Sequence, residues 1–111
     1  FDMSGGFNAI DSFPADKKIP RAIVCGSDEV AIGVLRGLSK KNISVPNDVA
    51  IISIDNIEIS EYTCPPLTTM NVQKKAMGEQ AVKMIVSETA GKDECALKIM
   101  LPSSLIVRES C

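Results

Sequence analysis

Histidine is absent from all 111 residues. A serine–histidine–aspartate triad, a cysteine–histidine pair and a histidine-ligated metal are therefore excluded for these residues acting alone. The four cysteines, Cys25, Cys64, Cys95 and Cys111, show no Cys-x-x-Cys spacing, which suggests neither a zinc site nor a redox pair. The composition is not that of a disulfide scaffold, so reduced thiols and a cytoplasmic setting are expected. The net charge of −2 leaves no electrostatic footprint for nucleic acid, and any DNA contact has to come from residues outside these. No apolar run is long enough to span a bilayer, and no membrane partner is expected. Gly26 lies in neither a P-loop nor a dinucleotide glycine pattern, and no paired-carboxylate motif occurs. No cofactor, no metal and no enzyme activity are expected. With 45% apolar and 23% charged residues, what remains is the composition of one small globular domain.

The stretch from Val49 to Ile54 organises the chain. It is a β-branched apolar run, as in a strand covered on both faces at the centre of a parallel sheet. It stops at Asp55-Asn56, and in open α/β sheets ligands sit at the carboxyl ends of the strands. Asp55 either meets a small polar molecule there or starts the next turn and caps a helix, and strand chemistry alone leaves both readings standing.

In chain order, Phe7, Ile10 and Phe13 mark a short helix that opens near Ser4 with Asp2 or Ser4 as its cap. No strand precedes that helix, which reads as a fragment of a longer βα pattern. Arg21 to Cys25 reads as a buried strand. Asp28 to Lys40 is the clearest helix, with Val30, Ala31, Val34, Leu35 and Leu38 on one face and Asn42 as a left-handed stop. Ser27 and Asp28 stand where a strand opens into that helix, and capping is the commoner role for such residues. Ile57 to Tyr62 has room for a turn or two of helix before Cys64-Pro65-Pro66, where a cis bond at Pro66 is one expectation. Leu67 to Val72 is extended. Met77, Ala81, Met84 and Ile85 form the stripe of a helix starting near Lys74 and closed by Gly91. Lys92 to Glu94 form a turn, Leu97, Ile99 and Leu101 alternate as a half-buried strand, and Leu105 to Val107 form a last one.

Taken together, Cys25-Gly26-Ser27-Asp28, Ala31-Ile32-Gly33, Val45-Pro46-Asn47-Asp48-Val49, Ile54-Asp55-Asn56, Pro65-Pro66-Leu67-Thr68-Thr69, Met77-Gly78 and Leu105-Ile106-Val107-Arg108-Glu109-Ser110 resemble the carboxyl-terminal part of a LacI/GalR-family transcriptional regulator. Each motif alone is weak. Their order and spacing over essentially the whole chain carry the resemblance.

The resemblance implies a parallel-sheet, Rossmann-like α/β lobe of a periplasmic-binding-protein-like domain. Residues 1–73 would belong to the carboxyl-terminal effector lobe, 74–95 to a helix of the amino-terminal lobe, and 96–111 to strands returning to the first. The ligand cleft of the family lies between its lobes. Asp55 matches the carboxylate that reaches effector hydroxyls, Ser27 a polar position commonly filled by asparagine, and Phe1 an aromatic that packs on the ligand, while Asp28 stays a cap. Ser27 in place of the amide, and Asn71-Val72-Gln73 in place of a glutamine–proline pair, prevent the effector from being carried over. Ile32, Arg36, Ile59 and Tyr62 match a homodimer interface, and operator DNA would be bound by a helix-turn-helix absent from this chain. The resemblance thus implies the sensing part of a regulator, its effector a sugar or related metabolite. The alternative is a periplasmic or lipid-anchored sugar receptor of a transporter, which shares the fold.

Overall fold

The structure is a computed structural model that describes residues 2–89 and 97–111. It divides into two compact units: the chain up to Asn71 together with Ser104–Cys111, and Val72–Ser103. The first unit holds one four-stranded sheet in the order β1 (Ala22–Val24), β2 (Ala50–Asp55), β3 (Thr68–Asn71), β4 (Ser104–Ile106). The first three strands are parallel, and β4 runs antiparallel to β3. A parallel neighbour requires a crossover, and α2 (Asp28–Lys40) supplies the one from β1 to β2. The α/β class and the central place of the Val49–Ile54 stretch agree with the sequence reading.

The core lies on one face of this sheet. Ile10 of α1 (Met3–Asp11), Ala31, Val34, Leu35 and Leu38 of α2, and Ile51 of β2 are its main apolar side chains. The opposite face follows from the register. Val24 pairs with Ile52, and Ile54 with Met70, which pairs with Leu105, so these residues share a face. Val24 is 75% exposed and Leu105 46% exposed, so β2 is covered on one face in this chain rather than on both as its apolar run predicts. Apolarity on both faces is written in the strand, and within the first unit the described helices α1 and α2 pack on one of them.

Local chemistry sets the ends of the helices. Asp2 caps α1 by accepting the Gly5 amide at 2.7 Å, one of the two expected caps. At the other end of α2, the Asn42 and Ile43 amides donate to the Ser39 and Leu38 carbonyls, each at 3.0 Å, and Asn42 has φ of 56°. That is a Schellman motif with asparagine in the left-handed position, as the sequence predicts. The two helices touch backbone to backbone at glycines. A Cβ on Gly33 would fall on the Met3 carbonyl oxygen and 2.8 Å from the Phe7 amide nitrogen, and one on Gly6 would fall on the Val30 carbonyl oxygen.

The second unit contains α3 (Lys74–Thr89). Its stripe residues Met77, Ala81 and Met84 line one groove with Leu97, Ile99 and Leu101. The strand expected over Leu97–Leu101 does not form. Leu97 is 58% exposed, Met100 80%, and the segment lies along the helix stripe, with no strand paired to it among the described residues. The helix stop at Gly91, the turn at Lys92–Glu94 and Cys95 lie outside the described residues. The cis peptide bonds precede Pro46 and Pro65, not Pro66.

Gly33→Ala in the intact protein is expected to cost about 3 kcal/mol, since the clash is with backbone. Gly5→Ala, whose added methyl meets only the Asp2 side chain, should stay within about 1 kcal/mol. Urea unfolding compares the two, and equal small losses would contradict the close helix crossing.

Candidate functional site

The carboxyl ends of β1, β2 and β3 form one polar rim. Ser27 lies three residues beyond the end of β1 at Val24, and Asp55 closes β2 and is directly paired with Asn71. Asp55 and its neighbour Asn56 both have positive φ, 121° and 53°. This is a sparsely populated backbone region for residues other than glycine, and it persists where surrounding contacts enforce it.

Those contacts are on hand. The Asn56 amide nitrogen donates to Thr69 Oγ1 at 3.2 Å, and its side-chain Nδ2 donates to Asn71 Oδ1 at 3.2 Å. Arg108, just past β4, donates from one guanidinium nitrogen to Asn56 Oδ1 at 3.0 Å. Its other nitrogen donates to the Leu67 carbonyl at 2.7 Å and to Ser60 Oγ at 3.2 Å. Asp55, next to Asn56 in the chain, is half-buried.

Asp28 corrects the sequence reading. The helix cap is Ser27, whose Oγ accepts the Val30 amide at 3.3 Å. Asp28 is wholly buried and is no cap: its carboxyl group accepts the Ser53 and Thr69 hydroxyls at 2.5 and 2.6 Å and the Ile57 amide at 2.8 Å. One side chain thereby joins the start of α2, the middle of β2, β3 and the turn that follows Asp55. Sequence reasoning missed this because capping and core hubs use the same residue at the same helix end. The one available signal was the pair of small hydroxyl residues, Ser53 and Thr69, placed where apolar side chains would otherwise fill the core.

Ser27 is half-buried, on the rim, with its hydroxyl engaged as the cap. Phe1 lies outside the described residues. Ile32, half-buried, and Arg36, exposed, share an open groove on the outer face of α1 and α2 with Met3 and Phe7, and Arg36 lies 5.8 Å from the Phe7 ring centre. Ile59, within the 3₁₀ turn Glu58–Glu61, and Tyr62, at its end, are 50% and 74% exposed. Burial, aided by the nearby Asp28 charge, pushes the Cys25 thiol up to about 11, so it is no thiolate nucleophile at neutral pH. Among the described residues no group of acidic or cysteine side chains is arranged to hold a metal ion, and no helix is long and apolar enough to cross a membrane.

Two helices on a parallel sheet with a polar carboxyl rim define an open α/β lobe of the ligand-binding class. A family model described as a periplasmic binding protein-like domain matches residues 3–111, and the chain belongs to that family. It is 34% identical over 111 residues to the HTH-type transcriptional repressor MelR of Bacillus subtilis, covering 100% of this chain and 32% of that protein. A putative LacI transcriptional regulator from Bacillus cereus subsp. cytotoxis has a TM-score of 0.93 at 34% identity, covering 100% of this chain and 39% of its own. A LacI-family regulator from Enterococcus faecium, solved with bound ribose, has a TM-score of 0.84 at 28% identity, covering 99% of this chain and 40% of its own. These relatives bear out the LacI/GalR resemblance. The chain spans about a third of the length of the curated relatives it matches.

Asp28→Ala leaves two hydroxyls and one amide without their acceptor, and at about 1–3 kcal/mol for each stranded group the intact protein should lose about 3 kcal/mol or more. Asp28→Asn keeps one acceptor oxygen and should lose less. Denaturant midpoints for the two variants check this, and an Asp28→Ala loss below about 1 kcal/mol would remove the residue from its central role.

Proposed function

We propose that this chain is the effector-binding and dimerising part of a LacI-type DNA-binding transcriptional regulator, and that its effector is a sugar or a related polyhydroxylated metabolite. The observation that carries the reading is Asp55, set by a left-handed backbone at the carboxyl end of the central parallel strand. A carboxylate accepts hydrogen bonds from hydroxyl groups, and adjacent amide and hydroxyl side chains supply further polar partners. Ribose in the Enterococcus faecium relative supports the ligand class. Ser27, beyond the end of β1, adds a hydroxyl, and Phe1 adds an aromatic surface for the apolar face of a sugar. The repressor names of the relatives support a regulator over a transport receptor and over an enzyme.

In this reading the unit containing α3 belongs largely to the amino-terminal lobe, and operator DNA is bound by a helix-turn-helix outside these residues. Effector binding alters DNA affinity to the extent that the effector prefers one conformation of the whole protein. A homodimer forms through Ile32, Arg36, Ile59 and Tyr62. All four lie at half-buried or exposed positions, and an apolar edge off the core-facing line of α2 suits a partner surface.

Asp55→Ala in the full-length protein should weaken binding of D-ribose, titrated calorimetrically, by about tenfold to a hundredfold, the worth of hydrogen bonds to a charged group, with the circular dichroism spectrum unchanged. Unchanged affinity would remove Asp55 from the site. Ile32→Asp should convert the full-length dimer to monomer in sedimentation, and an intact dimer would contradict the assigned interface. The coding sequence upstream of Phe1 separates regulator from receptor: a helix-turn-helix supports the first, a signal peptide the second.

A further inference from the structure

We propose that Arg108 is a positioning residue of the Asp55 site: through Asn56 it fixes both the left-handed backbone at Asp55 and the hydrogen-bond polarity of Asn71. This deepens the functional reading above and rests on it. Arg108 is nearly buried, with 16% of its side chain exposed, and its guanidinium carries donors and no acceptor. The group facing it at 3.0 Å must therefore be the Asn56 oxygen, which turns the Asn56 Nδ2 toward Asn71 and makes the Asn71 oxygen the acceptor at 3.2 Å. The polarity of one arginine thus propagates through two amides. Asn71, the strand partner of Asp55, is left with Nδ2 as the corner turned away from Asn56.

The consequence is chemical. An acceptor at Asp55 beside an amide donor at Asn71 suits a ligand edge that has a hydroxyl donor next to an acceptor oxygen. Neighbouring sugar hydroxyls, or a hydroxyl beside a ring oxygen, have that pattern. A site lined by carboxylate alone would select only donors. Arg108 is equipped for the task because its backbone is itself fixed: its amide donates to Thr68 Oγ1 at 2.9 Å, and Ser110, wholly buried, donates to the Ile51 carbonyl at 2.6 Å and accepts the Thr68 amide at 2.8 Å. Its other guanidinium bonds, to the Leu67 carbonyl and Ser60, anchor the side chain without involving Asn56.

The test uses the full-length protein, with Arg108→Met, Asn56→Gly and the double variant compared with Asp55→Ala. Glycine accepts the positive φ at position 56 and spares the Arg108 bonds to Leu67 and Ser60, so it separates positioning from folding. In the ligand-free protein, Arg108→Met should raise hydrogen exchange of the Asn56 amide at least about tenfold while the Ile51 amide stays protected. Unchanged exchange at Asn56, or equal loosening at Ile51, overturns the proposal. With D-ribose as probe, each single variant should weaken affinity about tenfold, and the double should be no weaker than the worse single, the mark of two residues acting in one chain. Additive losses overturn the proposal, as does unchanged affinity in Arg108→Met when Asp55→Ala has weakened binding. Unchanged affinity in Asp55→Ala instead removes the site reading on which the proposal rests.

Discussion

The buried carboxyl group of Asp28 is the constraint on which the rest of the first unit depends. It sits at the first turn of α2, with no exposed surface, and takes hydrogen bonds from β2, β3 and the turn after Asp55. Burying such a group is costly unless its acceptor capacity is filled, and here three donors fill it. The same bonds place the carboxyl end of the sheet. Thr69, one of the donors, also accepts the Asn56 amide, so the polar hub in the core and the left-handed pair at the rim are two ends of one network. Partly satisfied polar networks cost more than an apolar core, which is why this one specifies a single arrangement.

How far the chain could be read from its sequence follows from what each signal depends on. The span of α2, its asparagine stop, the 3₁₀ turn before the prolines and the central strand were all legible, because each rests on periodicity or local backbone chemistry. The place of Asp55 at a strand end was legible for the same reason. Asp28 was misassigned because its role depends on Ser53 and Thr69, which lie 25 and 41 residues away in sequence and which no local pattern connects to it. Asn56 and Arg108 were seen only as members of motifs, since a hydrogen bond across 52 residues leaves no periodic trace. The alternation over Leu97–Leu101 looked like a strand, yet a strand exists only beside a neighbour, and among the described residues none pairs with it.

A sheet with one covered face and one apolar, open face is what a lobe of a larger domain looks like when described by itself. Parallel sheets are ordinarily covered on both faces. The close crossing of α1 and α2 at Gly6 and Gly33 packs the covered side backbone to backbone, beneath a rim where Asp55 and Asn71 end β2 and β3.

The measurement that bears most directly on the account is a crystal structure of the full-length protein with its effector bound. Ligand hydroxyls are expected within hydrogen-bond distance of the Asp55 carboxyl group, with Asn56 still in its left-handed conformation and bonded to Arg108. A ligand seated elsewhere, touching none of Ser27, Asp55 and Asn71, would contradict it.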